Sequence, residues 1–129
     1  MSSRVTVVVY ETRIDEPCHW AMWIRNENKD SVILQAGLNK GGYYVEEPIR
    51  TDPLRSKRIK NAVYCGTIPS AEHNQALLII QNYPVDNETV TWNCQAWVME
   101  ALERLEQMRI LQVAPGSKAT LESIRQRWK

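Results

Sequence analysis

Between Trp92 and Met108 the pattern of side chains commits the chain to an amphipathic helix, and such a helix requires a second layer to lie on. Apolar residues recur at Trp97, Val98, Ala101, Leu102, Leu105 and Met108, the three-and-four spacing of a helix with one buried face. Asn93 is a favoured N-cap, which puts Cys94 in the first turn and on the same side as the buried stripe. Unpaired backbone N–H groups and the positive end of the helix dipole stabilise a thiolate at such a place. Position alone leaves two natures for Cys94, an inert buried thiol or a nucleophile facing another element.

The partner layer is legible upstream as extended segments. Val5 to Tyr10 is a β-branched run that reads as a strand buried on both faces. A turn at Asp15-Glu16-Pro17 leads to His19-Trp20-Ala21-Met22-Trp23-Ile24, a second strand, and Ser31 to Gln35 is a third, joined to it as a hairpin across Asn26 to Asp30. Gly37 and Gly41-Gly42 punctuate a loop before an extended Tyr43-Tyr44-Val45. Pro48, Pro53 and the charges from Arg50 to Lys60 predict a solvated loop, and Ile59 to Thr67 a further strand. Pro69 to Glu72 starts a helix with Leu77-Leu78-Ile79-Ile80 as its buried turn, ended by Asn82-Tyr83-Pro84. A turn at Asp86-Asn87-Glu88 precedes a short extended Thr89 to Thr91. Beyond Ala114-Pro115-Gly116, Ser117 is expected to cap a last helix with Leu121, Ile124 and Trp128 inward. The fold class expected is α+β, an antiparallel sheet packed against the Cys-bearing helix, as one domain over residues 1–129.

Composition restricts the function classes. A net charge of +1 argues against binding nucleic acid or a membrane surface by bulk electrostatics. The three cysteines, Cys18, Cys65 and Cys94, form no CxxC pair and suit reduced thiols. No apolar run is long enough for a signal peptide or a membrane span, so a cytoplasmic location is expected.

A nucleophilic cysteine needs a base, and the chain has two histidines. His73, beside Glu72 and Asn74, reads as a surface residue. His19 opens the aromatic strand and shares a strand face with Ala21 and Trp23. A helix packing its Trp97 and Val98 face across a sheet can bring Cys94 to that imidazole, which would take the thiol proton and return it to a leaving group. Backbone N–H groups of Cys94 and a neighbour are natural oxyanion donors, with Gln95 or Tyr10 as possible side-chain donors and a plain surface role as the alternative for Gln95. Trp20, Trp23, Trp92 and Trp97 either line an apolar pocket or fill the core of a chain without phenylalanine. Spacings among Cys18, His19, Cys65, His73 and Cys94 match no zinc pattern, and no cofactor is called for.

The blocks His19-Trp20-Ala21-Met22-Trp23-Ile24 and Asn93-Cys94-Gln95-Ala96-Trp97-Val98, in that order, resemble the HWA and NC motifs of circularly permuted papain-like thiol enzymes, the lecithin:retinol acyltransferase-like group above all. They are also similar to a set of small fungal proteins combining HWA with NCQxWV. The resemblance implies Cys94 as nucleophile and His19 as general base and then acid. It departs at the third position, where that group carries a polar residue, usually histidine, on the next strand. Here a gapless match gives Leu34 and a one-residue slip gives Gln35, and the two lie on opposite strand faces. Gln35 is the candidate, since its amide oxygen can accept from the imidazole N–H and hold its tautomer.

Two functions are expected from different classes. One is a cysteine-dependent hydrolase or acyl/peptidyl transferase, acting on an ester, thioester or amide of a small-molecule or peptide substrate through an acyl-enzyme. The other is a non-catalytic binding or regulatory domain that keeps the fold without the chemistry.

Overall fold

The structure, a computed structural model, describes residues 2–26 and 30–127 and is α+β. Its main sheet contains β1 (Ser2–Tyr10), β2 (His19–Arg25), β3 (Ser31–Leu34), β6 (Ile49–Arg50), β7 (Ile59–Pro69) and β8 (Gln112–Val113), in the order β6-β3-β2-β1-β7-β8. Every neighbouring pair is antiparallel. A separate hairpin pairs β4 (Ala36–Asn39) with β5 (Gly42–Val45). The helices are α1 (His73–Gln81), α2 (Cys94–Gln107) and α3 (Ser117–Ile124).

Strand register decides which side chains meet α2. Val9 lies opposite Trp20, Val7 opposite Met22 and Val5 opposite Ile24, while Met22 and Ile24 face Leu34 and Val32 on the other side. These residues share one apolar cluster with Trp97, Val98, Ala101, Leu102 and Leu105 of α2. Each fully buried aliphatic side chain among them stabilises the fold by about 1.5–3 kcal/mol. A slip of one residue would turn the whole set away from the helix, so the register is strongly determined. Val8, Ala21, Trp23 and Ile33 on the opposite face are buried as well, which gives the middle of the sheet two apolar faces.

Several segments differ from the sequence reading, each for a local reason. The glycine-rich stretch after Gly37 is the β4–β5 hairpin rather than a loop, because Ala36 pairs with Val45 and Asn39 with Gly42 around Lys40-Gly41. The basic loop contains β6 and a 3-10 turn, Pro53–Arg55, capped by the Asp52 carboxylate. Thr89 to Thr91 is a turn closed by the Trp92 N–H on the Thr89 carbonyl, not an extended segment. In the run Leu77 to Ile80 only Ile80 is fully buried, and Leu78 projects to solvent. Ser117 is the first helical residue and not the cap; that place belongs to Gly116, and the Ser117 hydroxyl donates to the Ala114 carbonyl. Trp128 lies outside the described residues, as do residues 27–29 in the hairpin turn.

Gly66 is the backbone position with least freedom to change. It sits at a bulge of β7 against β1, with φ of +144°, and a Cβ there would lie 2.1 Å from the Gln112 carbonyl oxygen. Backbone on β8 cannot yield as a side chain would. We expect Gly66→Ala to lower unfolding stability by more than about 2 kcal/mol, read as a shift in the urea midpoint; an unchanged midpoint would show that β8 moves freely.

Candidate active site

Cys94 opens α2, as its N-cap predicts. The Asn93 side-chain oxygen accepts from the N–H groups of Gln95 and Ala96, at 3.1 and 3.2 Å. Cys94 Sγ lies 3.8 Å from the Cys18 carbonyl oxygen, so the start of the helix sits over the entry to β2. Cys94 is 7% exposed.

His19, the first residue of β2, is brought to this point, though not by the packing that its strand face suggests. Register places it opposite Tyr10 and on the side of Ala21 and Trp23, whereas α2 packs against Trp20, Met22 and Ile24. Thiol and imidazole meet at the end of the strand instead of across its face, close enough for Cys94 to raise the pKa of the ring by hydrogen bonding and charge. The other side of the ring is fixed by Gln35, whose Oε1 lies 2.6 Å from His19 Nε2. An amide oxygen only accepts, so Nε2 carries the proton and Nδ1 is the nitrogen left for the thiol. Parity explains the choice of Gln35: Leu34 pairs with Met22 and points into the α2 core, so its successor falls on the face of His19.

The surroundings of the ring act on its pKa in opposing directions. Burial alone disfavours the imidazolium, but the hydrogen bond and charge of Cys94, the bond to Gln35 and the Glu46 carboxylate together outweigh it, and the His19 pKa is raised. Tyr10 stacks on the imidazole at 5.8 Å with the planes tilted by 35°, and burial raises its own phenol pKa. Tyr10, His19, Ile33, Gln35, Ile49 and Arg58 are among the residues lining a cleft of about 380 Å³ on this side of the sheet.

The remaining expected site residues take structural places. Gln95 is not exposed: it is completely buried, and its polar atoms are taken up by the chain itself, its Nε2 donating to the Cys18 carbonyl at 2.8 Å and to Gln126 Oε1 at 3.0 Å and its Oε1 accepting from the Gln126 N–H at 2.6 Å. An oxyanion would have to break these bonds to reach it. Trp20 and Trp97 are fully buried core residues. Trp92 packs edge-on against Tyr43 at 5.4 Å and donates its indole N–H to Glu100 at 2.8 Å.

Sequence reasoning missed Tyr43 and Glu46. Cys94 lies within electrostatic range of Tyr43, whose phenol pKa is raised first by burial and then by that thiol. Asn87 holds the Tyr43 backbone from both sides, accepting from its N–H at 2.7 Å and donating to its carbonyl at 3.1 Å. Tyr43 belongs to the β4–β5 hairpin and Glu46 follows directly on it, and the signal that would have found them is the Gly41-Gly42 turn read as a hairpin. His73, expected at the surface, is buried: its Nδ1 is 2.7 Å from the Ser3 hydroxyl and its Nε2 3.2 Å from Asp30. Since Ser3 has no exposed surface, this serine–histidine–aspartate chain braces β1 against α1 and has no path for a substrate.

Among the described residues no cluster of three or more His, Cys, Asp or Glu side chains is arranged to hold a metal ion. No described helix is long and apolar enough to cross a membrane. No curated protein and no solved structure matches the chain. Residues 5–112, which hold most of β1, all of β2, Gln35 and the whole of α2, match a family of unknown function, DUF6540, and the chain belongs to that family.

Proposed function

We propose that the protein is a cysteine-dependent hydrolase or acyl/peptidyl transferase, with a permuted papain-like arrangement in which the histidine strand precedes the cysteine helix. The observation that carries this reading is His19 fixed by Gln35 Oε1 at 2.6 Å from Nε2, with Cys94 near enough to act on the same ring. In that order Gln35 orients the ring, His19 Nδ1 takes the thiol proton, and the sulfur attacks an ester, thioester or amide carbonyl. The imidazolium then protonates the leaving group, and water, an amine or an alcohol resolves the thioester. Asn93 already takes the N–H groups of Gln95 and Ala96, so the Cys94 N–H is the first-turn donor that the cap leaves for a developing oxyanion.

Intact-protein mass spectrometry against a panel of activated esters and thioesters tests this directly. The expected result is an added acyl mass, mapped to the peptide bearing Cys94; labelling confined to Cys18 would sink the proposal and favour a binding domain. Gln35 gives a second, smaller effect. Gln35→Leu keeps the bulk but leaves Nε2 without its acceptor, and the acylation rate should fall about tenfold or more. An unchanged rate would reduce the site to a Cys–His dyad.

A further inference from the structure

The residues that follow α3 are held more firmly than a helix end requires. Arg125 leaves the helix with extended backbone, φ −68° and ψ 136°. Gln126 is then read at every one of its backbone polar groups. Its N–H donates to Gln95 Oε1 at 2.6 Å, and its carbonyl accepts from Asn93 Nδ2 at 2.8 Å. The side-chain Oε1 accepts from the Cys18 N–H at 2.8 Å and from Gln95 Nε2 at 3.0 Å. Both side chains that do the reading are buried, Gln95 completely and Asn93 to within 1%. None of these bonds caps α3; they tie the residue after the extended Arg125 to the cap of the nucleophile helix and to the residue before His19. Beside Gln126 lies a cavity of about 350 Å³, bordered by Val9, Cys18, Lys60, Asn61 and Ile124.

Recognition of N–H, C=O and a side-chain carbonyl of one extended residue is how a peptide subsite works. We infer that Asn93, Gln95 and the Cys18 backbone form a subsite for a glutamine of an extended peptide, and that residues 125–127 occupy it in cis. Binding by this seat stands on the hydrogen bonds alone. Its place on the path of a peptide substrate to Cys94 rests on the proposed thiol chemistry.

The test uses the full chain carrying Gln126→Pro. Proline removes the N–H and the side-chain acceptor together, and the extended backbone of Arg125 tolerates a following proline. Binding of a fluorescent, end-blocked Arg-Gln-Arg tripeptide is read by anisotropy, with Arg-Ala-Arg as control. Freeing a seat that is otherwise occupied should tighten binding of Arg-Gln-Arg by about tenfold or more over the wild type, and Arg-Ala-Arg should bind far more weakly. Equal binding of the two peptides, or no gain over wild type, overturns the inference. Circular dichroism establishes that the variant folds; should it not, Gln126→Ala is put through the same comparison, and the same results support or overturn the subsite. Since the readout needs no turnover, a chain that captures the peptide but forms no acyl-enzyme keeps the subsite and loses only the thiol chemistry.

Discussion

The Cys94→Ala protein is expected to form no acyl-enzyme with any activated ester and to lose turnover by about 10⁴-fold or more. A thioester cannot form without the sulfur, and no second thiol stands in its place. Cys65 is buried, its thiol donates to the Val63 carbonyl, and burial pushes its pKa up to about 11. Cys18 contributes backbone, not sulfur, to the bonds around the site. The substitution should leave the fold intact, because the Asn93 cap and the Gln95 contacts do not involve the Cys94 side chain. Stability should change by only about 1 kcal/mol. Mass spectrometry and a thermal melt on the same sample check both statements, and full acylation of Cys94→Ala would refute the assignment.

His19→Ala should slow acylation by about 10²- to 10⁴-fold without removing it, since a positioned proton acceptor supplies gains of that order. The same variant tests the electrostatics through stability. The folded pKa of His19 is raised, so the fold prefers the protonated ring. Its contribution is therefore complete below the ordinary histidine value of about 6.5 and is lost as pH rises through the higher folded value. The melting-temperature gap between wild type and His19→Ala should narrow as pH increases across that window. A gap that widens with pH would show that burial, not the Cys94 and Glu46 partners, governs the ring.

The parts of this site that were legible in the sequence are those fixed by local rules. An N-cap followed by an apolar stripe located α2 and put Cys94 in its first turn. Alternation along β3 separated Gln35 from Leu34, because one strand cannot present both to the same side. What stayed hidden depended on partners distant in sequence. β2 is apolar on both faces, so nothing local told whether α2 would choose Trp20, Met22 and Ile24 or the side of Ala21 and Trp23. Gln95 and His73 look like surface residues beside their neighbours; their burial is set by Gln126 in one case and by Ser3 and Asp30 in the other. Tyr43 and Glu46 were lost with the glycine-rich hairpin, whose pairing is written in backbone geometry more than in side-chain pattern.

Alkylation of Cys94 by iodoacetamide as a function of pH, followed on the peptide that carries it, tests most directly whether His19 and Cys94 act as a pair. The wild-type rate should stay high below neutral pH and drop when His19 is replaced by Ala. A rate that in both proteins climbs only toward the range of an ordinary thiol, about pH 8.5, would contradict the account and leave a binding domain built on the same fold.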